Sequence, residues 1–390
     1  MQFHEFETNK DIVIWGTKRE GILLAMLLEE NEIEIRAFCD NNETVWGKQI
    51  YKEKKCISPQ NLKKDIFVLI AVRTEKVEKE IAEQLDLLKI EHGEGLQNII
   101  NEYWKTVEDE KYLKSIYFVN TRQKLNLKHP KSFNEKLQWL KLYDRKPEYN
   151  ILVDKYEVKD YVASLIGEQY IIPTLGIWNK YEEIDFDSLP EKFALKCTHD
   201  SGSCVICNNK TLLDLKMVKE KITRCLSTNP YYATREWPYK DVKPRIIAEE
   251  LLMDTSEKNI PSDYKFFCFS GEPKVIMTVV GGHDDETKVV RRMYDMDWNL
   301  LDIGLHGQES VKVAEVKPKG FNEMYQLARK LSQGFIHIRV DFYYVENKIY
   351  FGEMTFYHMS GYEIFKPDKW NDKLGEFIKL FPVNEVYNEK

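Results

Sequence analysis

The sequence predicts a protein of two fold classes, an α/β domain built on a parallel sheet followed by a larger α+β region. The first hundred residues alternate short apolar strands with an apolar helix. The strands are expected at residues 11–15, 33–38 and 65–72, and the helix at residues 22–28. Because a strand–helix–strand order is typical of parallel sheets, we expect such a sheet here. The α+β region is indicated by a hairpin pattern over residues 334–361, where apolar and polar side chains alternate.

Two glycines bracket the first strand-to-helix turn. Gly16 and Gly21 lie at the positions of a dinucleotide-binding fingerprint, and Asp40 follows at the spacing of the acid that contacts ribose. Lys18 stands where a second glycine would let pyrophosphate approach the backbone. The pattern therefore indicates a Rossmann-like domain and leaves open whether it binds a ligand. Residues 40–50 resemble small Rossmann-like modules of bacterial sugar-modifying and glycan-assembly enzymes.

Composition excludes several classes of protein. Of the 390 residues, 43% are hydrophobic and 31% charged, which is ordinary for a soluble globular protein. A net charge of -7 argues against a nucleic-acid-binding surface over the whole chain. The N-terminus lacks an apolar signal region, and seven scattered cysteines suit reduced thiols, so we expect a cytoplasmic protein. Cys204 and Cys207, with His199 nearby, lack the second ligand pair of a structural zinc site.

The hairpin carries charges on one face. Arg339 and Asp341 share a face of its first strand, and Glu353 and Thr355 share a face of its second. If the turn is centred on Asn347, Asp341 lies directly opposite Glu353. Cross-strand partners have Cβ atoms roughly 5 Å apart, where like charges repel. We therefore expect a divalent cation between the two carboxylates, because hard cations prefer carboxylate oxygens.

Several phrases, taken in order, resemble the ATP-grasp superfamily, and within it the TupA-like ATP-grasp proteins of bacterial cell-surface polysaccharide clusters. The phrases are HPKSFNEKLQWLKLYD, DKYEVKDYV, FALKCTHDSGS, DYKFFCFSG, RVDFYY and FGEMTFYHMSG. The resemblance covers residues from about 112 to 380. It implies three regions, a Rossmann-like module at 1–100, a helical connector at 101–118 and an ATP-grasp catalytic region at 119–390.

The resemblance implies a binding site for ATP and Mg²⁺. Lys155 and Lys196 match the lysines that contact phosphate. The residues matched to the lid loop, the adenine strand and the ribose-binding acid are Gly202, Ser203, Glu249, Glu250, Leu252 and Asp263. Asp341, Glu353 and Thr355 match the magnesium ligands. Many relatives have Glu-x-Asn at the second metal element, so Thr355 is a weaker ligand than the usual amide.

The resemblance also implies a reaction. Arg339 looks like the arginine that faces the transferred phosphoryl group, and Lys265 shares its strand face with Asp263. A carboxylate attacks the γ-phosphate of ATP to give an acyl phosphate and ADP, and an amine then displaces phosphate. We expect a uronic acid or amino acid and an amine as substrates, in the decoration of a capsule or cell-wall glycan. Expected partners are a free or lipid-linked glycan and other polysaccharide-assembly enzymes, without nucleic acid. The acceptor side is expected near His283, Arg291, Arg292 and His358.

Two other functions stay open at this stage. Asp295 and Asp297 form a D-x-D that could hold a metal and a nucleotide-sugar in a glycosyltransferase. A non-catalytic assembly protein that binds ATP is the third hypothesis. The sequence does not identify the acid, the amine, the carrier of the glycan, the ligand of the N-terminal domain or the oligomeric state.

Overall fold

The computed structural model describes residues 9–253, 262–281 and 289–382. These residues form two compact units, which divide after Leu125. None of the helices in the described ranges has the length and apolar character needed to cross a membrane. Each unit is described by itself below.

The first unit contains a six-stranded sheet with helices. Its strands are β1 Asp11–Trp15, β2 Ile35–Cys39, β3 Gln49–Tyr51, β4 Lys54–Ile57, β5 Ile66–Ile70 and β6 Glu91–Gly93. Its helices are α1 Arg19–Glu30, α2 Glu75–Leu88, α3 Leu96–Thr106 and α4 Asp109–Thr121. The strand order is β3-β4-β2-β1-β5-β6, and every pairing is parallel except that of β3 with β4. The predicted parallel sheet is confirmed.

The glycines of the first unit are explained by close packing. A Cβ atom on Gly21 would lie 1.9 Å from the carbonyl oxygen of Gly16, and one on Gly16 would lie 2.3 Å from that of Ala71. The carboxylate of Asp40 accepts hydrogen bonds from the hydroxyl of Thr17 at 2.7 Å and from the amide of Asn42 at 2.9 Å. Close packing thus requires both glycines, and Asp40 accepts hydrogen bonds from the turn that follows β1 and from the loop that follows β2.

The second unit contains two antiparallel sheets. Its strands are β7 Thr174–Trp178, β8 Phe193–Cys197, β9 Val205–Cys207, β10 Ile246–Glu250, β11 Ser262–Phe269, β12 Glu272–Val280, β13 Val290–Asp295, β14 His337–Val345 and β15 Lys348–Thr355. Its helices are α5 Phe133–Tyr143, α6 Tyr149–Val153, α7 Glu157–Ile166, α8 Leu215–Leu226, α9 Tyr231–Thr234, α10 Phe321–Leu331 and α11 Lys369–Phe377. The four-stranded sheet has the order β7-β10-β8-β9 and the five-stranded sheet β13-β12-β11-β14-β15.

The core of the five-stranded sheet follows the alternation of its strands. Ile338, Val340 and Phe342 of β14 are fully buried on one face, as the period-two pattern predicts. The helix α5 begins with a capping box, in which the Ser132 hydroxyl accepts from the amide of Glu135 and the Glu135 side chain accepts from the Ser132 amide. These local signals were sufficient to place the elements that carry the charged side chains.

The hairpin of β14 and β15 turns at Glu346 and Asn347, both with positive φ. Val345 pairs with Lys348, so the turn is centred half a residue before Asn347. The strand β15 has a bulge, in which Gly352 is the extra residue opposite the step from Asp341 to Phe342 of β14. Phe342 pairs with Phe351 before the bulge, and Asp341 pairs with Glu353 after it. The expected pair is therefore present, although the turn is not centred on Asn347 and the bulge was not foreseen.

Candidate functional site

One face of the five-stranded sheet carries a cluster of charged side chains from three adjacent strands. Its members, called the charged cluster below, are Asp263, Lys265, Arg339, Asp341, Glu353 and Thr355. Lys265 of β11 pairs with Asp341 of β14, which pairs in turn with Glu353 of β15. Directly paired residues on neighbouring strands share a face of the sheet, so this register alone brings the predicted residues together.

Arg339 lies at the centre of the charged cluster. Its Nε and Nη2 donate to the two oxygens of Asp341, each at 2.7 Å, and Nη2 also donates to Glu353 Oε1 at 2.7 Å. Lys265 Nζ lies 2.6 Å from Asp341 Oδ2 and 2.5 Å from Asp263 Oδ2. The positive charge expected between Asp341 and Glu353 is therefore supplied in this structure by the protein itself.

The charges stabilise one another. Burial alone would raise the pKa of Glu353, but Arg339, Lys265 and Lys155 lower it to about 2. Burial would lower the pKa of Arg339, and the neighbouring carboxylates raise it instead. The pKa of Asp263 is raised to about 6, mainly by burial and against the effect of Lys265. Glu353 is thus fully ionised at neutral pH.

The oxygens of the charged cluster suit a hard divalent cation only in part. The Glu353 side chain is 43% exposed, ionised and available, whereas both oxygens of Asp341 are engaged by Arg339 and Lys265. The Thr355 hydroxyl donates to Glu353 Oε1 at 3.0 Å and accepts from Arg339 Nη2 at 3.1 Å. In the described ranges, no three His, Cys, Asp or Glu side chains converge as a complete metal site. Two carboxylates completed by phosphate oxygens are a usual environment for Mg²⁺, so Glu353 fits that ion directly and Asp341 fits it by sharing an oxygen that already accepts a hydrogen bond.

The predicted phosphate-binding Lys196 belongs to an ion-paired group on the four-stranded sheet. Its Nζ lies 2.5 Å from Glu249 Oε2, and Lys159 Nζ lies 2.6 Å from Glu249 Oε1. Burial would raise the pKa of Glu249, but the two ammonium groups lower it below its ordinary value. Glu249, placed on the adenine strand by resemblance, therefore binds lysine side chains in this structure. Lys159 was missed from the sequence.

Lys155 lies between α6 and α7, and its position depends on Asp154. The Lys155 amide donates to Thr198 O at 3.0 Å, and its Nζ donates to Asp200 O. The carboxylate of Asp154 accepts from two amides at the start of α7 and from the hydroxyl of Thr198 at 2.9 Å. Burial lowers the pKa of Lys155, while Glu353 opposes that shift and Lys196 adds to it. The two predicted lysines therefore share an electrostatic environment with Glu353.

The two predicted residues of the loop matched to the lid, Gly202 and Ser203, differ in their exposure. Gly202 has a φ of +126°, and a Cβ atom added to it would meet no other atom within 4 Å, so it borders open space. Ser203 is buried, with its hydroxyl donating to Asp200 at 2.5 Å and accepting from the Cys197 amide at 2.7 Å. Gly202 can approach a ligand, whereas Ser203 anchors the loop to β8.

Some predicted residues lie away from the charged cluster. Glu250 is the exposed neighbour of Glu249, and Leu252 follows the end of β10. Arg292 pairs with Glu315 at 2.7 Å, and by register it lies on the opposite face of β13 from Arg291. His283 lies outside the described residues. The oxygens of Asp295 accept from Asp297 and Asn299 within a turn, so the D-x-D pattern is explained by local structure.

Two buried residues behind Arg339 extend the site. His358 Nδ1 lies 2.9 Å from Arg339 Nη1, and His358 Nε2 lies 3.2 Å from Glu363 Oε2. His358 was expected on the acceptor side, and it instead contacts the arginine. Glu363 was missed, because it follows His358 by five residues, a spacing that matches neither helical nor strand periodicity.

Comparison with known proteins identifies the family. A model of the TupA-like ATP-grasp family matches residues 135–379, and a model of the C2185-like N-terminal family matches residues 8–94. A search of curated proteins gave no significant match. The first of these matches covers more than half of the chain.

The solved structures that the chain matches are distant from it. D-alanine–D-alanine ligase from Bacillus anthracis, complexed with ATP, is 12% identical, with coverage of 90% of this chain and 86% of that one and a TM-score of 0.31. D-alanyl-alanine synthetase A from Vibrio cholerae is 11% identical, with coverage of 97% and 96% and a TM-score of 0.32. N5-carboxyaminoimidazole synthase from Aspergillus clavatus is 11% identical, with coverage of 97% and 79% and a TM-score of 0.32. Similarity at this level carries no argument about function.

The family match bears out the resemblance indicated by the sequence phrases. The fold is an N-terminal parallel-sheet unit followed by an ATP-grasp region, as predicted, and ATP-grasp ligases use ATP. The family model identifies an ATP-grasp protein, the superfamily that the sequence phrases indicated. The chain therefore belongs to the TupA-like ATP-grasp family.

Proposed function

We propose that this chain joins a carboxylate of a uronic acid or amino acid to an amine, with ATP converted to ADP, in the decoration of a capsule or cell-wall glycan. The observation that carries the proposal is the arrangement of Arg339, with Asp341 and Glu353 within 2.7 Å of its guanidinium nitrogens. Lys155 and Lys196 add cationic charge close to Glu353. This density of buried cations suits a reaction in which two anions must meet.

The binding roles follow from the charges. Lys155 and Lys196 would contact the phosphates of ATP, and Gly202 would allow backbone amides to approach phosphate oxygens. Glu353 and Asp341 would hold Mg²⁺, which when bound supplies neutralisation of phosphate charge. Thr355 would contribute by orienting Glu353, to which it already donates a hydrogen bond.

The bond changes are those of an acyl phosphate mechanism. A carboxylate oxygen of the acid forms a bond to the γ-phosphorus, and the bond between that phosphorus and the β–γ bridging oxygen breaks to release ADP. The amine then forms a bond to the acyl carbon, phosphate leaves, and the amine loses a proton. Arg339 has five N–H donors. Its Nε donates to Asp341, the two Nη2 hydrogens are shared among Asp341, Glu353 and Thr355, and one Nη1 hydrogen faces His358. Among the described residues, the second Nη1 hydrogen therefore remains for the anionic group that is transferred.

The surroundings of the charged cluster support the proposal of a carboxylate substrate. Arg291 of β13 is in register with Val279, which pairs with Asp263, so it lies on the same face. An arginine at that position suits bidentate binding of a carboxylate. The glycan would be free or lipid-linked, and other polysaccharide-assembly enzymes would be partners. A cytoplasmic location is part of the proposal, in agreement with seven free cysteines and the use of ATP.

The test is ADP release by the purified protein with ATP and Mg²⁺ against a panel of uronic acids, amino acids and amines. Glu353→Gln and Lys196→Ala should each lower the rate at least about 100-fold, a loss typical for groups that stabilise charge in the transition state. Glu346→Gln in the hairpin turn and Lys192→Ala before β8 are matched controls, since both residues are exposed.

The outcomes separate the hypotheses. Release that requires both an acid and an amine supports the ligase. ATP binding without turnover on any acid and amine pair would favour the non-catalytic assembly protein. Release of a uridine nucleotide from a nucleotide-sugar would favour the glycosyltransferase and overturn the proposal.

A further inference from the structure

A buried chain of hydrogen bonds leads from Arg339 into the protein, away from the other charged groups. His358 and Glu363 are 2% and 3% exposed. Glu363 Oε1 accepts from the amides of His306 at 2.6 Å and Ile364 at 2.9 Å, and its Oε2 faces His358 Nε2. The glutamate is thus fixed by backbone groups at one oxygen, and the other is left for the imidazole.

The hydrogen-bonding chemistry fixes the tautomer of His358. An arginine has donors and no acceptor, so the Nδ1 atom that faces Arg339 Nη1 must carry a lone pair. The proton then resides on Nε2, where the carboxylate of Glu363 accepts it. A proton on Nδ1 would place two N–H groups against each other at 2.9 Å.

We propose that His358 and Glu363 are positioning residues that hold the Arg339 guanidinium in the orientation needed to receive the transferred phosphoryl group. This inference rests on the proposed function for its catalytic meaning. Glu363 selects the Nε2–H tautomer of His358, and the His358 lone pair holds Nη1 while Asp341 holds Nε and Nη2. With the guanidinium fixed from both ends, its remaining N–H group has one direction in which to point.

A different role would be support of the loop alone. His358 lies next to Met359 and Ser360, both in the left-handed region with φ of 47° and 53°. If His358 served only that loop, its replacement would lower stability without changing the state of Arg339. The experiment must therefore observe the arginine and the imidazole directly.

The experiment is ¹⁵N NMR of the imidazole and guanidinium groups in the full chain. The protein has eight histidines, so the His358 signals are assigned by their loss in His358→Asn. The proposal expects a neutral Nε2–H imidazole in the unsubstituted protein. In Glu363→Gln the amide oxygen should remain with the two backbone amides, so its NH₂ group faces His358 Nε2 and reverses the tautomer. The Arg339 Nε–H signal should then move, and it should stay in place in Glu376→Gln, an exposed control.

These spectra decide the inference whether or not the ligase reaction is found. An imidazolium or an Nδ1–H tautomer in the unsubstituted protein overturns it, as does an Arg339 signal that ignores Glu363→Gln. Absence of ADP release with every acid and amine would overturn the proposed function and leave the spectra as the test of the hydrogen-bond chain.

Kinetics provide a second measurement once ADP release is observed. His358→Leu should lower kcat about 10–100-fold, the range seen when groups that orient a functional residue are lost, with the KM for ATP changed less than about threefold. His358→Asn should recover most of kcat, because its Oδ1 can accept from Arg339 in place of Nδ1. Equal losses in both variants, or a loss confined to KM, would contradict a positioning role.

Discussion

Replacement of Glu249 by glutamine tests whether the ion-paired group on the four-stranded sheet stabilises the protein. The substitution keeps the shape of the side chain and removes the charge that lies between the ammonium groups of Lys159 and Lys196. Removal of one partner from a fully buried ion pair costs about 3–5 kcal/mol, because a charge is left uncompensated. The Lys159 and Lys196 side chains are 12% and 20% exposed, so water can solvate them in part. We therefore expect a loss of about 2–3 kcal/mol, at or below the lower end of that range.

The measurement is native-state hydrogen exchange of the amides of β8 and β10, which pair with each other. Local exchange is preferable to a single unfolding curve, since two compact units need not unfold together. Glu250→Gln is the matched control, because Glu250 is the next residue along β10 and is exposed. A change below about 0.5 kcal/mol in Glu249→Gln, within the range of ordinary surface substitutions, would refute the reasoning.

The pH dependence of the same group has a definite sign. The pKa of Glu249 is lower in the folded protein than its ordinary value of 4.5. Its contribution to stability is therefore fully present above pH 4.5 and is lost as the pH falls through the folded pKa. In Glu249→Gln that part of the acid-induced loss of stability should disappear.

Three further substitutions test packing and hydrogen bonding. Asp154→Asn removes the charge that holds the start of α7 and the side chain of Arg245. It should cost about 1–3 kcal/mol and weaken ATP binding in a titration, with exposed Asp160→Asn as the control. Lys141→Met removes a fully buried side chain that donates to three oxygens. The unpaired acceptors should lower the free energy of unfolding by about 3 kcal/mol or more, measured by hydrogen exchange of the α5 amides. Gly21→Ala places a Cβ atom 1.9 Å from a carbonyl oxygen, so the first unit should unfold at a lower temperature by calorimetry. An unchanged transition in any of the three would contradict the corresponding contact.

The sequence was sufficient for features that depend on local pattern. The βαβ order of the first unit and the buried face of β14 follow from periodicities that neighbouring residues set. The phrases that resemble the family then indicated which lysines and carboxylates correspond to its phosphate-binding and magnesium-binding residues. The pairing of Asp341 with Glu353 was also expected, on the condition that the turn was centred on Asn347. The turn is centred half a residue earlier, and the bulge at Gly352 compensates for that shift.

Contacts between distant segments were not predictable in this way. Lys159 reaches Glu249 across 90 positions of sequence, and no periodic pattern connects a helix lysine with a strand glutamate. Arg339 was predicted to face the transferred phosphoryl group. In the structure its guanidinium also donates to Asp341 and to Glu353, both at 2.7 Å. A side chain with several donors can hydrogen-bond several partners at once, and a sequence pattern does not identify those partners.

The bulge at Gly352 also changes which side chains of β15 face the core, so the burial of residues near the turn does not dictate the orientation of those at the end of the strand. Before the bulge, Ile349 and Phe351 face the core, and after it Met354 does, so odd-numbered and even-numbered residues exchange sides. In a regular strand without the bulge, the alternation would continue through Gly352 and carry Met354 to the charged face and Glu353 into the apolar interior. The extra residue at Gly352 thus determines which side chains face the charged cluster at the end of β15. The hydrophobic residues near the turn keep their positions in the core.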